Sequence, residues 1–370
     1  MLSSLIFLVV LSVSIFIFYK NIMKIYRNIN LGKHGLVFSN SKKRWKNVLF
    51  IAFGQSKMFK KPIVAILHLV VYLGFIIINI EVIEIIIDGI FGTHRVLSFI
   101  GPIYNILIAS FEILALLVLI ACIVFLIRRN VIKIKRFFSS EMKGWPTLDA
   151  NLILIFEIFL MSAFLVMNAA DLVLQEKYEY YPKAGLFPVS YWITFFINDL
   201  SIEVLIFIER FCWWFHIVGI LIFLNYLVIS KHLHILLGFP NTYFGNLNPN
   251  GQFNNMDSVT NEVKMMLDPN ADPFSQSNSS VAPSRFGAKD ATDLTWLQLL
   301  NSYSCTECGR CTSECPANVT GKKLSPRKIM MDVRDRIEEI GDGIDKNGKD
   351  FDDGMTMRPL IRITILITSI

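Results

Sequence analysis

Charge is scarce in this chain. Only 18% of its 370 residues are Asp, Glu, Lys or Arg, 53% are apolar, and the mean hydropathy is +0.50. Soluble domains carry about one quarter charged residues, so an ordinary soluble fold is excluded. Cysteine is scarce too: there are six, and four of them fall between 305 and 315. A secreted disulfide framework distributes its cysteines, so this cluster points instead to a metal site in a reducing compartment. Acid is missing altogether from residues 20–61, where eleven lysines and arginines stand. The net charge of +6 is modest and uneven, and nucleic acid is not among the expected partners. No internal repeat is evident, and the length allows two or three domains.

What is abundant is long apolar sequence. A membrane-crossing helix needs about 20 mostly apolar residues to cover roughly 30 Å of hydrocarbon. Five segments qualify, at about 2–19, 62–87, 103–127, 151–170 and 211–230. The first has no basic leading region and no A-x-A-like site after it, so it reads as a retained helix rather than a signal peptide. The loops 20–61 and 128–147 are strongly basic, whereas the other two loops hold only Arg95, then Lys177 and Lys183. Basic short loops stay in the cytoplasm. Five spans then place the N-terminus outside and everything after 231 inside. The stretch 189–208 carries Tyr191, Trp192, Phe195 and Phe196 but also Asn198, Asp199 and Glu203. That mixture suits the outer interface better than a sixth span, which would put the C-terminal part outside.

Composition changes near 238. Residues 1–237 form the membrane domain, and 238–290 is a linker rich in Asn, Pro, Ser, Gly and Asp, with too little apolar sequence for a core of its own. A short helix is expected at 257–267, with Asp257 or Ser258 as its N-cap and Val263, Met266 and Leu267 on one face. Others are expected at 292–303 and from Ser325, with Pro326 in the first turn, to about 340. The fold class expected is all-α: a five-helix transmembrane bundle plus a small α-helical ferredoxin-like cytoplasmic domain over 291–354.

The run Cys305-Thr-Glu-Cys308-Gly-Arg-Cys311-Thr-Ser-Glu-Cys315-Pro316 has the spacing C-x2-C-x2-C-x3-C-P. Short spacings let one tight turn converge several thiolates, as in bacterial ferredoxins with a [4Fe–4S] cluster. Zinc sites use two separated Cys or Cys/His pairs instead. In two-cluster ferredoxins the fourth cysteine serves the other cluster, and no second run follows Cys315 here. Three arrangements stay open: Cys315 is recruited, the cluster is incomplete, or a partner supplies a ligand.

Histidines lie in or beside the apolar runs: His68 in the second, His216 in the fifth, and His232 and His234 just after it. Ionisable residues in a span are functional candidates, and two facing histidines can hold a b-type haem; a hydrogen-bonded or packed histidine is the plainer alternative. At about 1.5 Å per residue, His68 lies roughly 10 Å and His216 roughly 20 Å from the cytoplasmic face, with His234 about 5 Å outside it. Neither pairing matches well in depth, and His68 can be matched with either. Glu81, Glu84 and Asp88 fall at i, i+3 and i+7 on the outer half of the second span. They form a face for protons or a quinone headgroup, or an interfacial face paired with Arg95. Glu112 and Glu157 are further acids within spans, and Cys122 and Cys212 read as packing residues.

Taken together these parts resemble a known arrangement. The membrane half is similar to the cytochrome b (gamma) subunit of respiratory nitrate reductase, and the tail resembles the iron–sulfur subunits of heterodisulfide reductase and anaerobic glycerol-3-phosphate dehydrogenase. The whole resembles fused membrane (Fe–S) oxidoreductases of Bacteroidetes-type bacteria. Gly54-Gln-Ser-Lys57, Arg210-Phe-Cys-Trp-Trp-Phe-His216, Arg285-Phe-Gly-Ala-Lys-Asp290 and the cysteine run through Ser325-Pro-Arg327 carry the match, which extends to about 353. The resemblance implies a bacterial inner-membrane protein that pairs His68 with His234 on one haem. It implies a role for His216 on a second haem, whose partner position about ten residues after His68 is Ile78, followed by Asn79. It also implies a second cysteine run, where this chain has the tail 355–370; a truncated or frameshifted reading frame is the expectation for that tail. The function expected is electron transfer between a soluble oxidoreductase subunit, of the CCG-motif type or a flavoprotein, and menaquinone or another quinone, in contact with membrane lipid. The CCG motifs themselves are absent, so substrate chemistry is assigned to another protein. A membrane-anchored iron–sulfur sensor or cofactor-assembly protein is the alternative from a different class, and reducible b-type absorption bands distinguish the two.

Overall fold

The structure is a computed structural model, described here for residues 2–34, 38–249, 252, 257–268, 288–348 and 351. Five helices are long and apolar enough to cross a membrane: α1 (Leu2–Asn30), α3 (Pro62–Phe91), α4 (Pro102–Asn130), α5 (Trp145–Lys177) and α7 (Ile202–Ile229). Between the first two lies the short α2 (Ser41–Asn47), continued by a π-helical turn over Val48–Phe53. Three of the long helices begin with proline in the first turn, Pro62, Pro102 and Pro146, where its missing N–H costs nothing. Gly92, at φ 70°, ends α3 in the left-handed conformation that a helix C-terminus favours.

Each long helix outruns the apolar segment read from sequence. The reason is that polar residues at the ends find partners and the backbone ladder continues through them. Lys24 pairs with Asp345 at 2.8 Å, and Arg27 donates to the Gly341 carbonyl at 2.9 Å, so α1 runs on to Asn30. At the start of α7, Ser201 caps the helix, and Glu209, buried, accepts from Arg210 at 2.6 Å and from the Tyr181 hydroxyl at 3.2 Å. These polar residues ended the apolar run at 211 in the sequence reading, yet the helix starts at 202. The aromatic stretch before it forms only α6 (Ser190–Ile197), eight residues long and too short to span. Its first N–H groups, on Val189 and Ser190, both bond the Glu112 carboxylate of α4 at 2.9 and 3.1 Å, which folds the segment back against the bundle.

The bundle core includes Phe7, Ile108, Phe111, Phe164, Trp213 and Ile217. Close approaches are set by glycine: a Cβ on Gly89 would lie 2.6 Å from the Phe7 ring, and one on Gly74 would lie 2.5 Å from Val118. After α7 come α8 (His234–Tyr243), α9 (Asp257–Leu267), α10 (Trp296–Tyr303), α11 (Arg310–Ser313), α12 (Pro316–Val319) and α13 (Pro326–Asn347). Helix α9 has the bounds expected from sequence, while the side chains of its candidate caps, Asp257 and Ser258, lie outside the described residues. The helix expected at 292–303 is split, because two capping boxes stand in tandem, Asp290 with Asp293 and Thr295 with Gln298. Among the described residues there is no strand, only one parallel bridge between Lys33 and Thr295.

A second core joins the C-terminal helices to the bundle. Ile25 and Ile29 of α1, Leu227 and Val228 of α7 and Leu233 pack with Leu299, Leu300 and Tyr303 of α10 and Val333 and Ile337 of α13. A fully buried Leu or Ile contributes about 1.5–3 kcal/mol, so this shared core fastens α10 and α13 to one end of the bundle. That end carries the basic segments 31–34, 38–61 and 131–144 and is called the basic end below. Residues 250–251, 253–256 and 269–287 of the linker, which include the first residues of the Arg285–Asp290 stretch, and the tail 355–370 lie outside the described residues.

Candidate cofactor sites at the basic end

The cysteine run sits where α10 gives way to α11. Leaving α10 at Ser304, the chain passes Cys305 to Cys308 without helix and turns through two left-handed residues, Glu307 at φ 54° and Gly309 at φ 70°. Gly309 is required on two counts: its backbone conformation favours glycine, and a Cβ there would lie 2.5 Å from the Arg327 guanidinium. Cys311 lies in α11, and Cys315 precedes Pro316 at the start of α12. None of the four is in a disulfide; Cys311 is exposed and the others half-buried. Burial, the nearby Cys308 and Glu307 push the Cys305 thiol up, against the Glu307 backbone N–H that donates to its sulfur. Among the described residues no three His, Cys, Asp or Glu side chains surround a position for a single metal ion. An all-thiol set wrapped along one turn is instead the donor type for an iron–sulfur cluster, whose several metal atoms hold the thiolates apart.

Buried charges hold this loop in place. Glu307, only 3% exposed, accepts from Lys231 at 2.6 Å and Arg334 at 3.0 Å. Burial would raise its carboxyl, but the two cations hold it below the usual range. Burial pushes Lys231 down, against Glu307 and Asp149, which favour its charged form. Arg327 is 2% exposed and donates to the Arg136 carbonyl at 2.8 Å, to Glu141 at 2.7 Å and to the Ser139 hydroxyl. The loop 131–144 is thereby clasped to the first turn of α13. Sequence reading missed these residues as ligands of one another. The available signal was position alone: Glu307 stands inside the cysteine run and Arg327 in Ser-Pro-Arg.

The histidines separate into two places. His232 and His234 have ring centroids 5.6 Å apart, and His68 lies within electrostatic reach of both. His234 donates Nδ1–H to the Lys231 carbonyl at 3.0 Å. This leaves Nε2 with its lone pair, the arrangement of a metal-ligating histidine oriented by a backbone carbonyl. The Nδ1 atom of His68 is buried with no hydrogen-bond partner. Burial, followed by the two neighbouring imidazoles, pushes His232 down to about 3. Ser230 ends α7 in an extended conformation, and a 3-10 turn over Lys231–Leu233 leads into α8, whose first residue is His234. His216 is elsewhere, buried, with Nδ1–H donating to the Leu160 carbonyl at 3.0 Å and its ring 5.7 Å from Phe164. At the position implied for its partner Ile78 is buried, and the Asn79 amide bonds the Phe75 carbonyl.

At the opposite end, Glu84 and Asp88 have structural partners. Asp88 accepts the Arg95 and Val96 backbone N–H groups at 2.7 and 3.2 Å, and Glu84 accepts from Leu97 N–H at 2.9 Å and the Tyr104 hydroxyl at 3.1 Å. The Arg95 guanidinium reaches across to Asp171 at 2.6 Å, Asn168 at 3.0 Å and Tyr104 at 3.1 Å. Glu81 differs: it is 3% exposed and its Oε2 has no partner.

No family model matches the chain, and no solved structure matches it. Three curated proteins do. The chain is 30% identical to the "Probable iron-sulfur-binding oxidoreductase FadF" of Bacillus subtilis over 92% of its own length and 43% of that protein. It is 26% identical to the "EtfAB:quinone oxidoreductase" of Syntrophomonas wolfei over 87% of its length and 41% of that protein. A 52-residue stretch is 40% identical to a "Probable membrane-anchored ferredoxin" of Chromohalobacter salexigens, over 14% of this chain and 8% of that protein. The chain therefore spans less than half the length of the first two relatives.

Proposed function

We propose that this chain is the membrane-bound electron-transfer part of an iron–sulfur oxidoreductase, exchanging electrons between a soluble protein and a quinone. The observation that carries the reading is the convergence, at one end of the bundle, of a four-thiol loop and the His68/His234 pair, joined through Lys231 and Glu307. The names of the relatives, an iron–sulfur-binding oxidoreductase and a quinone oxidoreductase, support the same class of chemistry.

In this reading Cys305, Cys308, Cys311 and Cys315 would hold a [4Fe–4S] cluster, and His68 and His234 would hold a b-type haem. When bound, both groups supply one-electron transfer. The chain's residues fit these roles: a buried imidazole nitrogen without a partner on His68, and a His234 ring fixed with Nε2 free. His216 has no facing histidine implied for it, so one haem is assigned and not two. Exposed Cys311 marks the edge of the loop nearest a soluble donor or acceptor. Glu81, with an unpaired carboxylate oxygen among apolar helices, is assigned to hold the proton exchanged with a quinol headgroup near the opposite end. The basic end faces the cytoplasm under the positive-inside rule.

The test is an absorption and EPR spectrum of membranes containing the chain, before and after addition of a menaquinol analogue. Reducible b-type bands together with an iron–sulfur EPR signal are expected. Iron–sulfur signal with no haem band at any potential refutes the haem assignment, and absence of both refutes the function.

A further inference from the structure

Lys231 bonds to both candidate sites at once. Its ammonium donates to Glu307 at 2.6 Å and to the Pro146 carbonyl at 2.7 Å. Its own carbonyl accepts the His234 Nδ1–H at 3.0 Å. Its backbone N–H is held by Asp149 at 3.0 Å, and Asp149 also accepts the Tyr226 hydroxyl at 2.5 Å. The Lys231 side chain is 11% exposed, and a buried ammonium is tolerated only when it is paired and hydrogen-bonded. On the other side, Glu307 stands between Cys305 and Cys308 in a left-handed conformation rare for a residue with a side chain. Such a conformation persists where surrounding contacts over-determine it, and here Lys231 and Arg334 both grip the carboxylate.

The geometry points to Lys231 as a positioning residue that fixes the cysteine loop through Glu307 and the His234 imidazole through its carbonyl, with one positive charge held between the two ligand sets. This rests on the cofactor reading above. The carbonyl link orients the His234 ring and sets which nitrogen faces inward. The ammonium link keeps Glu307, and with it the turn carrying Cys305 and Cys308, at a fixed place relative to that ring. A fixed cation beside the cysteine loop favours whichever cluster state carries more negative charge, which is the reduced one.

The full chain in membranes, with Lys231→Met, Lys231→Arg and Glu307→Gln variants, tests this by EPR-monitored redox titration of the cluster and by the haem spectrum. K231M, which keeps the backbone carbonyl that holds His234, is expected to shift the cluster midpoint downward. K231R is expected to return it toward the native value, and E307Q to shift it upward. If K231M does not accumulate, E307Q decides by the same titration. Unchanged cluster midpoints in the variants, with both cofactors present in the native chain, overturn the role of Lys231. If the native chain holds a cluster but no haem, the haem assignment fails separately. The inference is then judged on the cluster midpoint alone: a shift supports it and no shift overturns it.

Discussion

Replacing Arg327 by Met would test how the C-terminal helices hold the basic loop. Arg327 is almost fully buried, and its guanidinium bonds the Arg136 carbonyl, the Ser139 hydroxyl and the Glu141 carboxylate. Removing one partner of a buried ion pair costs about 3–5 kcal/mol, because the other charge is left uncompensated. At about 1.4 kcal/mol per factor of ten, that loosens the clasp roughly a hundred- to a few-thousand-fold. The shared core around Leu299 and Ile337 is untouched by the change, so the helices stay attached and the effect should be confined to loop 131–144. Hydrogen exchange followed by mass spectrometry, on peptides covering that loop, reads it directly. Exchange should accelerate by that factor in R327M while peptides from α10 stay protected. R327K should behave almost as badly, since an ammonium cannot span three acceptors in a fixed fork. Acceleration of only a few-fold in R327M would refute the argument and assign the loop's order to its apolar contacts.

Other outcomes follow from the same contacts. Cys308→Ser should remove the iron and the iron–sulfur EPR signal while leaving the chain in the membrane; retained iron would mean that the metal is held elsewhere. His68→Ala should abolish reduced b-type absorbance at normal protein levels, whereas His216→Ala should leave it intact; the reverse result would exchange the two assignments. Glu141 supplies a pH dependence. Burial works against its ionisation, but the hydrogen bonds from Arg327 and Ser325 hold its carboxyl at about 2, below the ordinary 4.5. A carboxyl depressed on folding stabilises the folded state above its unfolded pKa and loses that contribution as pH falls through its folded one. The clasp should therefore be constant from neutrality to about pH 5 and weaken from 4.5 toward 2, read by the same exchange measurement. Protection that increases on acidification would contradict the sign.

The parts of this protein that could be read in advance depend on neighbours in sequence. Five apolar runs, two basic loops and the spacing of Cys305, Cys308, Cys311 and Cys315 are local patterns. Burying apolar residues, paying for charge in hydrocarbon and closing a tight turn are all decided within some 20 residues. The same holds for α9, whose bounds match the apolar period of 257–267. Helix ends were less legible, because Glu209, Arg210, Lys24 and Arg27 look like stops until their partners are known.

The pairing of distant groups belongs to the tertiary structure. His68 of α3 and His234 at the start of α8 come within electrostatic reach of each other only once the helices pack. Glu84 and Asp88 share a helix face with Glu81, yet only Glu81 keeps an unpaired oxygen, since the segment after α3 brings Arg95 and Leu97, and the first turn of α4 brings Tyr104, to the other two. Lys231, Glu307 and Arg327 carry no sequence signature of their roles, because each has a partner far off along the chain: Lys231 and Glu307 stand 76 residues apart, and Arg327 stands 191 from Arg136. Periodicity and spacing report what a segment buries. Which buried charge answers which other one is settled only when the helices pack, because a desolvated charge takes the partner that packing brings within reach.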